Sequence, residues 1–185
     1  MSDQSQAYPY AKAYLDQSLI ENKLEKAYSE MILLLRVGED NPILEITLKS
    51  PLIHISKKIE IVLAIFSTQL EERTMRFLKL ILQKERSGLL FSIAMEFIRQ
   101  YREYHNIIIV EVISPTILGK DIEEEILQVL KKQLPNKIEL KKEVDPELIG
   151  GLILKIGDRQ YDGSIRRSLR EVKKGLLENS FLNQY

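Results

Sequence analysis

A change of hydrophobic period at Asn106 restricts the fold of this chain more than any other feature of its sequence. Upstream of it, apolar residues recur at steps of three and four, the spacing that lays one face of a helix against a core. Downstream, "IIIVEVIS" is β-branched and nearly continuous, which suits a buried strand better than so short a helix. The boundary near 104–107 predicts an α+β chain of two domains, 1–105 and 106–185.

Six helical stretches are expected before that boundary. Tyr10, Ala13, Tyr14 and Ser18 share one face, with Pro9 suited to a first turn. Leu24, Ala27, Tyr28, Met31 and Leu35 mark a second helix ending near Gly38, and Asn41-Pro42 opens a third in "NPILEITLK". After the break at Ser50-Pro51, Ile59, Val62, Leu63 and Phe66 mark a fourth. Met75, Leu78 and Leu82 mark a fifth, and Leu90, Ile93, Phe97, Ile98 and Tyr101 a sixth. Connections this short imply an antiparallel six-helix bundle.

The second half reads as a small β-α-β-β-α domain. Pro115 ends the first strand, and a helix from Asp121 to Leu134 is expected to turn Ile122, Ile126, Val129 and Leu130 inward. "KIELKK" alternates as a half-exposed strand should. "GLILKIG" is another strand, with Gly157-Asp158 as a tight turn into "RQY". A last helix carries Ile165, Leu169, Val172 and Leu176 at helical spacing.

Composition narrows the chemistry. Lys+Arg and Asp+Glu both number 27, so no global basic field exists to hold nucleic acid or an anionic membrane. The absence of cysteine excludes thiolate catalysis, disulfides and sulfur-ligated metals. His54 and His105 lie far apart, and each alone makes a poor metal site or base. Glu71-Glu72 and Glu123-Glu124-Glu125 give no sign of a desolvated carboxylate across a cleft, so neither suggests acid–base catalysis. The longest apolar runs are too short to span a bilayer, and "MSDQSQAYPY" lacks a signal sequence. No catalytic, cofactor-binding or metal-binding residues are expected.

The richest stretch is "DPELIGGLILKIGDRQYDGSIRRSLREVKK", Asp145 to Lys174. Its glycines fit neither a dinucleotide fingerprint nor a P-loop, because Gly150-Gly151 precede a strand and no lysine follows in the required place. They read as turns, with Asp162 or Ser164 capping the last helix, in preference to an anion seat at that helix start. Residues 155–174 hold seven basic and three acidic side chains. A nucleic-acid module using this basic face is the alternative reading, with Tyr161 the one aromatic nearby. Near the amino terminus, Tyr10-Ala11-Lys12-Ala13-Tyr14 interleaves small and aromatic residues. That pattern can admit a partner helix, although periodicity alone favours core packing.

The same stretch resembles the C-terminal signature of the F-type ATP synthase delta subunit family, whose mitochondrial members are called oligomycin-sensitivity-conferring proteins. The matching positions are Asp145, Pro146, Leu148, Ile149, Gly150, Gly151, Gly157, Asp162, Gly163, Ser164 and Leu169. "YAKAYL" is similar to the family's start, with Tyr14 standing where leucine is usual. "KSPLI" followed by a lysine at 57 or 58 also matches, as does "TMRFLKLILQKER" through Thr74, Phe77, Leu78, Leu80, Leu82 and Arg86. The resemblance implies a non-catalytic stator subunit at the cytoplasmic face of the bacterial inner membrane, touching the membrane only through its complex. It implies that the first domain grips N-terminal helices of the alpha subunits through Tyr10, Ala11, Ala13, Tyr14, Thr74, Phe77, Leu78 and Leu82. It further implies that the second domain engages the b subunits of the peripheral stalk, with no cofactor and no nucleic acid.

Overall fold

A computed structural model describes residues 3–182, with side chains described through Lys174. The chain divides between Tyr104 and His105 into two compact units. The first holds α1 (Asp3–Ile20), α2 (Leu24–Asp40), α3 (Pro42–Lys49), α4 (Ile55–Phe66), α5 (Glu72–Gln83) and α6 (Leu90–Tyr104). A 3-10 turn at Ser87–Leu89 leads into α6. Phe66, Phe97, Met31, Leu34, Leu78 and Leu90 are among its largest fully buried side chains. These positions follow the helical stripes, so burial of one face per helix supplies the main driving force.

Two local expectations fail for tertiary reasons. Pro9 lies inside α1 instead of in its first turn, because the helix begins at Asp3 and buries Ala7 completely. Gly38 does not end α2, which runs on to Asp40. A Cβ at Gly38 would stand 2.4 Å from Phe91 Cε1, so this glycine admits the α6 ring against α2. Among the connections, His54 caps α4, its Nδ1 accepting from the Ser56 amide at 3.4 Å. Asn106 adopts φ 52° at the end of α6, the left-handed conformation that terminates a helix.

The second unit contains β1 (Ile107–Ser114), α7 (Lys120–Gln133), β2 (Lys137–Val144), β3 (Ile153–Ile156), β4 (Arg159–Asp162) and α8 (Ile165–Leu182). "RQYD" is thus a strand of its own, one more than the β-α-β-β-α reading counted. The sheet order is β2-β1-β3-β4, with β1 parallel to β2 and the other pairs antiparallel. Val110 and Val112 pack on Ile126 and Leu130 of α7, flanked by Ile108, Leu140 and Leu154. Ile122 and Val129 are 46% and 51% exposed, so α7 turns in only two of its four expected residues. Ile122 lies on the same line of the helix as this pair but one turn earlier, in the first turn of α7, and Val129 lies beside that line. Ile165, Leu169 and Val172 of α8 are exposed as well. Leu176 lies outside the residues whose side chains are described.

Candidate functional site

Helices α1 and α5 run antiparallel and wall a groove of about 1010 Å³. Contacts at each end fix that direction: Arg86 Nη1 donates to Gln6 Oε1 at 3.1 Å, and Lys23 Nζ to Glu71 Oε2 at 3.0 Å. Pro9, Tyr10, Ala13 and Gln17 line it from α1, and Arg73, Arg76, Phe77 and Leu80 from α5. The α5 set falls at i, i+3, i+4 and i+7, so it is an outward stripe beside the buried one of Thr74, Met75, Leu78, Ile81 and Leu82. Tyr14 joins the walls. Its ring stacks on Phe77 with centroids 4.1 Å apart and meets Phe97 at 5.4 Å.

A buried polar chain backs this wall. The Tyr14 hydroxyl lies 2.6 Å from Thr74 Oγ1, and Thr74 spends its own proton on Glu30 Oε2. Tyr14 is therefore the donor in the first bond. Glu30, 2% exposed, accepts the Glu71 amide on its other oxygen at 2.7 Å. It thus brings a carboxylate from α2 to the amino-terminal end of α5, where the helix dipole favours negative charge. Burial pushes the Tyr14 pKa up, opposed by the bond to Thr74. At the groove's charged end stand the pairs Lys23–Glu71 at 3.0 Å, Arg73–Glu21 at 3.4 Å and Arg76–Glu72 at 3.2 Å.

Of the residues expected to face a partner, Tyr10, Ala13, Tyr14 and Phe77 meet at the groove. Ala11, Thr74, Leu78 and Leu82 do not. Each is 0–1% exposed. Ala11 belongs to the buried line of Ala7, Leu15 and Ser18, and two helical steps rotate Ala13 about 200° away from it. Sequence reasoning left out Pro9, Gln17, Arg73, Arg76 and Leu80. The double stripe in "RTMRFLKLIL" was the available signal, since only one of two apolar faces on α5 can enter the core.

In the second unit the signature residues hold one another. Asp145 Oδ1 accepts from the Glu147 amide at 3.0 Å, and Pro146 opens the short turn that buries Leu148. The Gly163 amide bonds to Leu152 O and the Ile165 amide to Gly150 O, both at 3.0 Å, which stitches the two glycine motifs together. Gly157 takes φ 56° in the β3–β4 turn. Asp162 Oδ1 caps the Ser164 amide at 3.0 Å, and Ser164 Oγ accepts from the Arg167 amide at 3.2 Å. These bonds use the Ser164, Ile165 and Arg167 amides internally, so the motif forms turns and caps there. Ile149, by contrast, is 67% exposed at φ 67°, and Leu169 is 56% exposed. In the basic segment, Arg166 pairs with Glu147 and Arg167 with Glu171. Among the described residues there is no group of three His, Asp or Glu side chains able to hold a metal. None of the described helices is long and apolar enough to cross a membrane.

A family model described as "ATP synthase delta (OSCP) subunit" matches residues 7–176. The chain is 33% identical over 169 residues to ATP synthase subunit delta of Desulforudis audaxviator, covering 91% of this chain and 93% of that one. It is 34% identical over 180 residues to the subunit delta of Lactobacillus johnsonii, covering 97% and 98%. With the subunit delta of Prochlorococcus marinus strain MIT 9215 the identity is 36% over 166 residues, covering 89% and 92%. In fold, it is similar to a chain of the Toxoplasma gondii mitochondrial ATP synthase hexamer. The TM-score is 0.67 at 18% identity, over 92% of this chain and 97% of that one.

Proposed function

The chain belongs to the ATP synthase delta (OSCP) subunit family, and from that premise we propose that it is a non-catalytic connector of the enzyme's stator. In this reading the first unit, an antiparallel six-helix bundle, grips N-terminal helices of the alpha subunits. The second unit engages the b subunits of the peripheral stalk. Holding the head still while the rotor turns couples proton flow to ATP synthesis. The subunit sits peripherally, at the cytoplasmic face of the bacterial inner membrane.

The observation that carries this reading is the groove between α1 and α5. It is open and lined by Tyr10, Ala13, Phe77 and Leu80, with the small side chain of Ala13 suiting the approach of a helix. Two contacts on separate units also suit a tether, because linking them raises the effective concentration of the second. Calorimetric titration of the full chain with a peptide of the alpha-subunit amino terminus from the same organism tests it. Saturable binding that induces helix in the peptide is expected. An absence of binding at high micromolar concentration removes the assignment of the groove.

A further inference from the structure

We propose that Arg73 is the specificity-determining residue of the α1–α5 groove, reading a carboxylate on the helix that docks there. This inference rests on the groove being the alpha-subunit site.

Arg73 is committed to its surroundings only loosely. Its guanidinium carries five N–H donors. Nη1 reaches Glu21 Oε2 and Nη2 reaches Lys23 O, both at 3.4 Å, near the outer limit for a hydrogen bond. Nε is buried and has no hydrogen-bond partner among the described residues. The group stands 5.5 Å from the centroid of Tyr14, whose ring forms the groove wall. Its side chain is already only 14% exposed.

Docking a helix over Tyr14 and Phe77 removes the remaining water from this cation. Desolvating a charge is costly unless a good acceptor replaces the water. Glu21 meets the group only through one long contact, Oε2 at 3.4 Å from Nη1, and leaves Nε unpartnered. The other carboxylates at this end are held as well: Glu71 by Lys23 and Glu72 by Arg76. The donors that these contacts leave over are open to an acceptor on the incoming helix. Except in its last turn, a helix spends its carbonyls on its own ladder, so along the docked face a side chain supplies the acceptor. A carboxylate matches the guanidinium fork. The occupant is thus an amphipathic helix with an apolar stripe for Tyr10, Ala13, Phe77 and Leu80, and an Asp or Glu set beside that stripe.

The test is a binding cycle on the full chain. The probes are the alpha-subunit amino-terminal peptide and a copy in which every Asp and Glu becomes Asn or Gln. Arg73→Gln should weaken the native peptide by roughly tenfold, and Arg73→Lys by less, since a lysine keeps charge without the fork. Against the neutral copy, Arg73→Gln and the unmodified chain should bind within about twofold of each other, and circular dichroism should report unchanged helix content. If the Arg73→Gln loss is the same for both peptides, Arg73 only supports the wall and the inference falls while the groove assignment stands. If the unmodified chain binds neither peptide, the groove assignment falls and the inference with it.

Discussion

Gly151 passes so close to Gly163 that a Cβ built on it would lie 2.2 Å from the Gly163 carbonyl oxygen. Its φ of 77° independently favours glycine. Both constraints act on the seam where β3 leaves the turn and α8 begins. Gly151→Ala should therefore destabilise the second unit by more than about 3 kcal/mol, combining overpacking with backbone strain. Urea unfolding followed by hydrogen exchange in β1 and β3 measures this. An effect below about 1 kcal/mol would mean that the seam is easily rearranged.

Glu30 should matter more to α5 than its position on α2 suggests. Removing its carboxylate leaves the Glu71 amide and the Thr74 hydroxyl without their shared acceptor. Glu30→Ala is expected to cost about 2 kcal/mol or more of first-unit stability. Glu30→Gln, which retains one acceptor oxygen, should cost less. Thermal denaturation of both variants gives the comparison, and equal losses would point to packing instead of the hydrogen bonds.

Lys57 and Lys58 are equivalent to the eye in sequence but not in the structure. Lys58 Nζ is buried and donates to Leu48 O at 2.7 Å and Ser87 Oγ at 2.9 Å, tying the end of α3 to the turn before α6. Lys57 is exposed and pairs with Glu60 one helical turn away. Lys58→Met should destabilise by about 1–3 kcal/mol, whereas Lys57→Met should stay within about 0.5 kcal/mol. Chemical denaturation of the two variants decides which lysine fastens the bundle.

Acid should weaken one defined cluster. Glu96 is buried on α6, and its bonds from Arg99, then Gln100, hold its carboxyl below the ordinary value of 4.5. A carboxyl whose pKa is depressed on folding contributes its stability above the unfolded value and loses it as pH falls through the folded one. Glu96→Gln should therefore be less stable than the parent at pH 7, with the gap closing as the pH is lowered below about 4.5. Urea midpoints at several pH values test the sign. A gap that widens on acidification would overturn it.

Much of the fold was legible because period and burial agree over most helices and along β1. The failures occur where a contact distant in sequence decides. Gly38 resembles a helix stop until Phe91 is seen to need the space. Ile122 and Val129 look inward until the small sheet proves to cover only Ile126 and Leu130. At the groove, apolar spacing locates α1 and α5 but does not decide which of two stripes each helix buries. That choice depends on how the helices are turned against Phe97 and Thr74, and it separates Ala13 from Ala11. Glu30 had no local sequence signal at all, since its role comes from partners 41 or more residues away.

That separation of Ala11 from Ala13 yields the sharpest prediction. Ala11 is 0% exposed in the core, so Ala11→Arg must bury a charge and overfill a packed site. Loss of cooperative folding of the first unit is expected, and failure to bind any partner then follows trivially. Ala13 is exposed and lines the groove, so Ala13→Arg leaves the core untouched. Its thermal midpoint should remain close to the parent's. Binding of the alpha-subunit amino-terminal peptide should nevertheless fall by at least about tenfold, because a long cation occupies the space through which a helix approaches. Circular dichroism and calorimetry on the same samples separate the two effects. A folded Ala13→Arg chain that binds the peptide normally would move the interface away from α1.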